Sequence, residues 1–191
     1  MSDERPPAPQ PMLARTITFS YDEGEDRVLV NCKAEDPERL ETLMLSRRMV
    51  RNILRTCAGI LAQSSERAGR TPSGYREDVL AMEHLGAVAS SSQHQSSLPP
   101  MQAVPTQEVE HRHLVLQLDI DSRADGGYML RFHDRTGMCV ATGVTRVEMH
   151  HVLDALVGLS RRGEWGLDAE AGWLASAGEA LRPGRAGALS S

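Results

Sequence analysis

Histidine and cysteine side chains in the second half of the chain could bind a metal ion. His111 and His113 are two residues apart at the start of a predicted strand and so face one side of it, while His133 and Cys139 lie in neighbouring predicted elements. Imidazole and thiolate groups are common zinc ligands, and a site needs three or four ligands that converge on the ion. These four residues are therefore the candidate metal site. The preferred alternative is that the histidines lie on the surface or rim of the protein and bind nothing.

Three arginines form a second candidate site. Arg47, Arg51 and Arg55 follow one another at intervals of four residues, which places them on one stripe of a predicted helix. Such a stripe could bind nucleic acid or another anion. The formal net charge of the chain is -5 at pH 7, however, and no aromatic residues stand among the arginines to stack on bases. The preferred interpretation is a solvated helix face that is neutralised by carboxylates such as those of residues 22–26.

The other reactive residue types do not form a catalytic motif. The cysteines, Cys32, Cys57 and Cys139, are odd in number and lack C-x-x-C spacing, so they indicate neither a disulfide framework nor a zinc ribbon. The sequence contains no G-x-S-x-G motif, P-loop or dinucleotide-binding fingerprint. We therefore expect a protein that is not an enzyme, that uses no cofactor, and that resides in a reducing cytoplasm.

Two tryptophans could contribute to an interaction surface. Trp165 follows the second predicted helix, where its indole could fold back over the helix end, and Trp173 lies in the tail. Packing is the default role for both. If either side chain is exposed, it becomes a natural anchor for a partner surface, because aromatic residues contribute much of the binding energy of interfaces.

A weak internal repeat predicts the elements that position these residues. Residues 46–61 match residues 145–160 in their apolar positions, with an offset of 99. The apolar spacing is helical in both segments, and Ser46 and Thr145 stand at N-cap positions, the latter in a T-x-x-E capping box. The pattern predicts two amphipathic helices, which end near residues 63 and 162.

Three predicted strands precede each of these helices. Alternating apolar and polar residues between turn signals indicate the strands Thr16–Tyr21, Arg27–Cys32, Arg39–Leu45, His113–Asp121, Tyr128–His133 and Met138–Thr142. The connection between the halves contains a predicted helix, Tyr75–Ala89, and then a Ser-, Gln- and Pro-rich linker. A further short helix, Asp168–Ala180, is predicted before the tail.

Together these elements predict an α+β fold in which two related three-stranded antiparallel sheet-plus-helix units pack as one pseudo-symmetric domain, with an extra helix in the connection. The expected segments are a disordered leader (1–14), the first βββα unit (15–64), a helix and flexible linker (65–108), the second βββα unit (109–166) and a short helix with a frayed tail (167–191).

The strong signals in this sequence are structural, so the expected function is that of a non-enzymatic protein-interaction or assembly protein. Its partner would be a second copy of the chain, in a homo-oligomer, or another protein that pairs with an open sheet edge. No run of apolar residues is long enough for a membrane span, so no membrane partner is expected. A histidine-based metal-binding protein or metalloenzyme, and nucleic-acid or anion binding by the arginine stripe, are the alternatives.

Overall fold

The computed structural model describes residues 11–34, 39–95, 112–167, 170 and 172–180. Seven strands are present: β1 Met12–Asp22, β2 Arg27–Ala34, β3 Leu40–Leu45, β4 Arg112–Leu114, β5 Gln117–Ser122, β6 Tyr128–Asp134 and β7 Gly137–Val144. The α-helices are α1 Arg47–Ser64, α2 Glu66–Arg70, α3 Arg76–Gln95, α4 Arg146–Arg162 and α5 Gly172–Ala180. The first ten residues of the predicted leader, residues 96–108 of the predicted linker and the tail beyond residue 180 lie outside the described residues.

All seven strands belong to one mixed sheet with the order β4-β3-β2-β1-β7-β6-β5. The predicted assembly of two separate three-stranded antiparallel sheet-plus-helix units is therefore wrong, although the fold is α+β. The two antiparallel runs are joined because residues 12–14 of β1 pair in parallel with Val140–Thr142 of β7. These first residues of β1 precede the predicted first strand, and their pairing satisfies backbone groups that would otherwise form open edges.

The two ends of the sheet meet at the junction between β4 and β5. β4 pairs in parallel with β3, β5 pairs antiparallel with β6, and only two residues separate them along the chain. The Val115 amide donates to the Met44 carbonyl (3.1 Å) and the next amide, of Leu116, donates to the His133 carbonyl (2.8 Å). The sheet therefore curls until its first and last strands meet end to end.

The two parallel joints are related by the offset of the sequence repeat. In one joint Leu13 pairs with Ala141, and in the other Thr42 pairs with Arg112. The positions 13 and 112, and likewise 42 and 141, are 99 residues apart. The first strand of each half thus pairs with the third strand of the other half in the same register.

Helices α1 and α4 confirm the predicted amphipathic helices and their N-caps. The Ser46 side chain accepts from the Met49 amide, and Thr145 and Glu148 form the capping box. The apolar residues of each helix enter the core, among them Val50, Leu54, Leu153 and Leu156, which are fully buried.

The two helices run antiparallel, and each is tied to the far end of the other. The guanidinium group of Arg47 at the start of α1 donates to the Trp165 carbonyl beyond the end of α4 (2.6 Å). Arg146 at the start of α4 donates to the Leu61 carbonyl near the end of α1 (2.9 Å). These matched arginines therefore cap carbonyl groups across the helix pair, where a cation is also favoured by the helix dipole.

Helix α3 lies at the centre of the remaining helices, since α2, α4 and α5 all pack against it. The predicted helices at Tyr75–Ala89 and Asp168–Ala180 are present with shifted ends, as α3 and α5, and α3 packs against both α4 and α5. None of the helices in the described part of the chain combines the length and the apolar character that a membrane span requires.

Candidate functional site

Four side chains of different strands converge where the ends of the sheet meet. They are Glu41 of β3, His113 of β4, Asp134 at the end of β6 and Cys139 of β7, and we call them the β-junction cluster. His113 and Asp134 are partly buried, while Glu41 and Cys139 are buried. The cluster depends on the curled sheet, because β3 and β6 are separated by three strands in the sheet order.

The imidazole of His113 bridges two carboxylates. Its Nδ1 lies 2.7 Å from Oδ2 of Asp134, and its Nε2 lies 3.0 Å from Oε2 of Glu41. Burial lowers the pKa of His113, but the hydrogen bonds and charges of the two carboxylates outweigh it and leave this pKa raised. The bridge ties β3, β4 and β6 together.

Each carboxylate also accepts hydrogen bonds at its second oxygen, and these bonds orient it. Oδ1 of Asp134 accepts from the backbone amide (2.7 Å) and the hydroxyl (2.6 Å) of Thr136, and Oε1 of Glu41 accepts from Nε of Arg39 (3.3 Å). Burial raises the pKa of Asp134, yet the hydrogen bonds from Thr136 and His113 bring it down to about 2. Asp134 therefore stays ionised, with Oδ2 directed at His113.

The thiol of Cys139 is not arranged as a nucleophile. Both ring nitrogens of His113 face carboxylates, so neither can act as a base for the thiol. Burial raises the pKa of Cys139, and its Sγ donates to the Phe132 carbonyl (3.3 Å). However, one ligand atom each from His113, Asp134 and Cys139 lie within 4.8 Å of one another, which is close enough for a shared metal ion.

The structure brings together two of the four predicted metal ligands, His113 and Cys139. His133 instead faces Asp119 on β5, with 2.8 Å between Nε2 and Oδ2. His111 lies outside the described residues. Asp134 was not predicted as a ligand, because it lies in a predicted turn. Glu41 was not predicted either, although a glutamate beside the buried positions of a strand was a signal that could have identified it.

The predicted arginine stripe is paired within the chain. Arg51 and Arg55 each contact the carboxylate of Glu170, with Nε to oxygen distances of 2.8 and 2.5 Å, and Arg47 donates to a backbone carbonyl. Glu170, beyond the end of α4, therefore neutralises Arg51 and Arg55, while Arg47 interacts electrostatically with Asp26, one of the predicted carboxylates of residues 22–26. An anion at this stripe would compete with these contacts.

Both tryptophans are buried, so the exposure that an interface anchor needs is not met. Trp165 is 1% exposed and its Nε1 donates to Oδ1 of Asp26 (2.6 Å). Trp173 is 5% exposed and packs edge-on against the rings of His84 and His150.

His84 and His150 form a buried pair between α3 and α4. Their Nδ1 atoms lie 3.2 Å apart. Burial lowers the pKa of both, and brings that of His150 to about 4, so the two rings are neutral at pH 7. The sequence placed His150 next to His151 on a helix but gave no sign of its contact with α3.

A cleft of about 370 Å³, lined by five apolar and four polar residues, separates α1 from β5. Met49 and Ile53 line one wall, Leu116, Leu118 and Ile120 line the other, and Asn52, Arg55, Thr56 and Gln117 lie around them. Leu116 is 57% exposed at this cleft. The size of this cleft lies within the range of about 300 to 1,000 Å³ that ligand pockets occupy.

No family model matches the chain, and neither a curated protein nor a solved structure shows significant similarity to it.

Proposed function

We propose that this chain is a non-enzymatic interaction protein that binds an extended apolar segment of a partner protein along the free edge of β5. One observation carries the proposal: in the described part of the chain, an unpaired strand edge lies directly beside an open cleft to which five apolar side chains contribute. The strand edge constrains the backbone of the partner, and the cleft constrains its side chains.

The edge of β5 favours a polypeptide in an extended conformation. β5 pairs with β6 on one side, while β3 follows the other side only as far as Val115, whose amide bonds to the Met44 carbonyl. From residue 117 onward no described strand pairs with the other side of β5. A further strand can pair with such a row of backbone donors and acceptors along its whole length, which a small ligand cannot do.

The lining of the cleft favours apolar side chains on that strand. Leu118 and Ile120 are two residues apart on one face of β5, so a paired strand would place every second side chain over the same cleft. The polar residues at the cleft are uncharged except for Arg55, which is already paired with Glu170. A strongly charged partner, including nucleic acid, finds little complementary charge here.

A selection from random octapeptides displayed on phage tests the proposal. Peptides selected on the purified protein should alternate apolar and polar residues. When synthesised, they should bind Leu116→Asp at least tenfold more weakly than wild type, because a charge at the cleft disfavours apolar side chains. The matched control is Leu13→Asp, since Leu13 is also an exposed strand leucine (65%) but does not line the cleft.

Three outcomes would overturn the proposal. The first is that no selected peptide alternates apolar and polar residues. The second is that the peptides bind Leu116→Asp as tightly as they bind Leu13→Asp. The third comes from light scattering at micromolar concentration. If the wild type is a dimer that only Leu116→Asp dissociates, then a second copy of the chain fills the cleft and no partner segment is needed.

A further inference from the structure

We propose that Nδ1 of His113, Oδ2 of Asp134 and Sγ of Cys139 bind a divalent metal ion of the zinc class in the β-junction cluster. The fourth coordination position would hold water. This site is separate from the cleft and does not depend on the proposed function.

The spacing of the three ligand atoms suits a tetrahedral ion after a small adjustment. Zinc binds nitrogen, oxygen and sulfur at about 2.0 to 2.3 Å, so its tetrahedral ligands stand roughly 3.3 to 3.8 Å apart. The atoms offered by His113, Asp134 and Cys139 already lie within 4.8 Å of one another. Binding therefore requires Nδ1 of His113 and Oδ2 of Asp134 to separate from their present 2.7 Å, and any pair near the 4.8 Å limit to approach by about 1 Å.

The second shell of such a site is already in place. A metal-bound histidine usually donates its other ring N–H to a carboxylate, which fixes the ring and its tautomer. Nε2 of His113 faces Oε2 of Glu41 at 3.0 Å, so it can keep this bond while Nδ1 turns to the ion. Thr136 holds Oδ1 of Asp134 with two hydrogen bonds, which leaves Oδ2 for the metal.

Charge and softness of the ligands favour the zinc class over hard cations. An ionised Asp134 and a thiolate of Cys139 would together neutralise a divalent ion, while Glu41 keeps its own partner in Arg39. Calcium and magnesium prefer oxygen ligands alone, whereas a mixed set of imidazole, carboxylate and thiolate suits zinc and cobalt. The alternative is that the cluster is only an ion network that closes the sheet.

Cobalt(II) chloride, added to the purified full chain under reducing conditions, distinguishes a metal site from an ion network. We expect one ion per chain, the visible spectrum of tetrahedral cobalt, and a thiolate-to-cobalt charge-transfer band in the near ultraviolet. Zinc chloride should displace the cobalt and abolish both signals. This measurement needs no variant, so a folded wild-type protein that shows no charge-transfer band overturns the proposal.

Variants then assign the ligands. Cys139→Ser should remove the charge-transfer band, and His113→Gln and Asp134→Asn should each weaken zinc binding by at least tenfold, with the helical circular dichroism signal retained as evidence of folding. Cys57→Ser and His133→Gln are the matched controls, since one replaces another buried cysteine and the other a histidine outside the cluster. A band that survives Cys139→Ser, or that disappears in Cys57→Ser, contradicts the assignment.

Discussion

Acidification should weaken the packing of α3 on α4 through the buried pair of His84 and His150. When both rings are neutral, one Nδ1 can donate and the other accept across the 3.2 Å between them. Protonation of either ring places two N–H donors opposite each other in a site where both residues are less than 4% exposed. The folded protein therefore favours the neutral form of the pair.

The lowered pKa of His150 sets the sign and the size of the effect. Because its pKa is lower in the folded state, its contribution to stability is fully present above pH 6.5 and is lost as the pH falls toward 4. The difference between 6.5 and about 4 corresponds to about 3 kcal/mol of folding free energy. That is a large part of the roughly 5 to 15 kcal/mol that stabilises a typical domain.

The charged groups that face the pair do not reverse this sign. After burial, the charges of His84 and Arg146 lower the pKa of His150 further, and Glu83 raises it. Asp154 raises the pKa of His84, yet burial dominates and leaves that pKa lowered as well. The neighbouring His151 lowers both.

Urea unfolding of wild type and His150→Gln at constant ionic strength measures the effect. Glutamine can hydrogen-bond to His84 but does not titrate. Between about pH 7 and about pH 4 the wild type should lose about 3 kcal/mol more stability than the variant. The control is His151→Gln, which replaces the next, half-buried residue of α4 and should retain most of the wild-type loss, because the charge of His151 lowers the two pKa values less than burial does. Parallel losses in wild type and His150→Gln would refute the reasoning.

Two further predictions concern packing. Leu54→Ala and Leu153→Ala remove fully buried side chains at equivalent positions of α1 and α4. Each should lower the free energy of unfolding, measured in urea, by about 2 to 5 kcal/mol. A loss below about 1 kcal/mol at either position would contradict a core shared by the two helices. Gly127→Ala should lower the melting temperature, because an added Cβ would lie 2.8 Å from the Val144 carbonyl oxygen. Gly59→Ala in α1 should raise the melting temperature, because its Cβ would meet nothing within 4 Å and alanine favours the helix. The opposite order of melting temperatures would contradict this prediction.

Local patterns were sufficient to predict helices and hairpins but not the assembly of the sheet. The N-caps at Ser46 and Thr145 and the apolar spacing behind them depend on residues a few positions apart, and both helices were predicted close to their observed bounds. The joint between residues 12–14 and β7 connects segments about 128 residues apart. Nothing in the alternation of either strand specifies its neighbour, so the single sheet could not be predicted from it.

The candidate metal site was predicted in part for the same reason. His113 and Cys139 were identified by residue type alone, because few side chains bind transition metals. Asp134 and Glu41 are common residue types, and only the curled sheet places them beside His113. Nothing in the sequence around these two residues indicates that they contact His113.

The cleft and the β-junction cluster both arise from one stretch of chain that changes partner. Residues 112–115 bond to β3 and bring His113 into the cluster, whereas residues 117–122 bond to β6 and leave an edge free beside α1. β1 changes partner in the same way, from β7 to β2, but there α4 packs against the strand.

Side-chain size accounts for this difference between the two halves. The positions 99 residues before Leu118 and Ile120 hold the aromatic residues Phe19 and Tyr21, which pack against the core. Phe19 and Tyr21 are bulkier, and Tyr21 packs edge-on against Trp165 just beyond the end of α4, while the smaller aliphatic pair lines the cleft of about 370 Å³ beside α1. The apolar positions that the two halves have in common form the core. The positions at which they differ in side-chain size form the cleft where we propose that the partner binds.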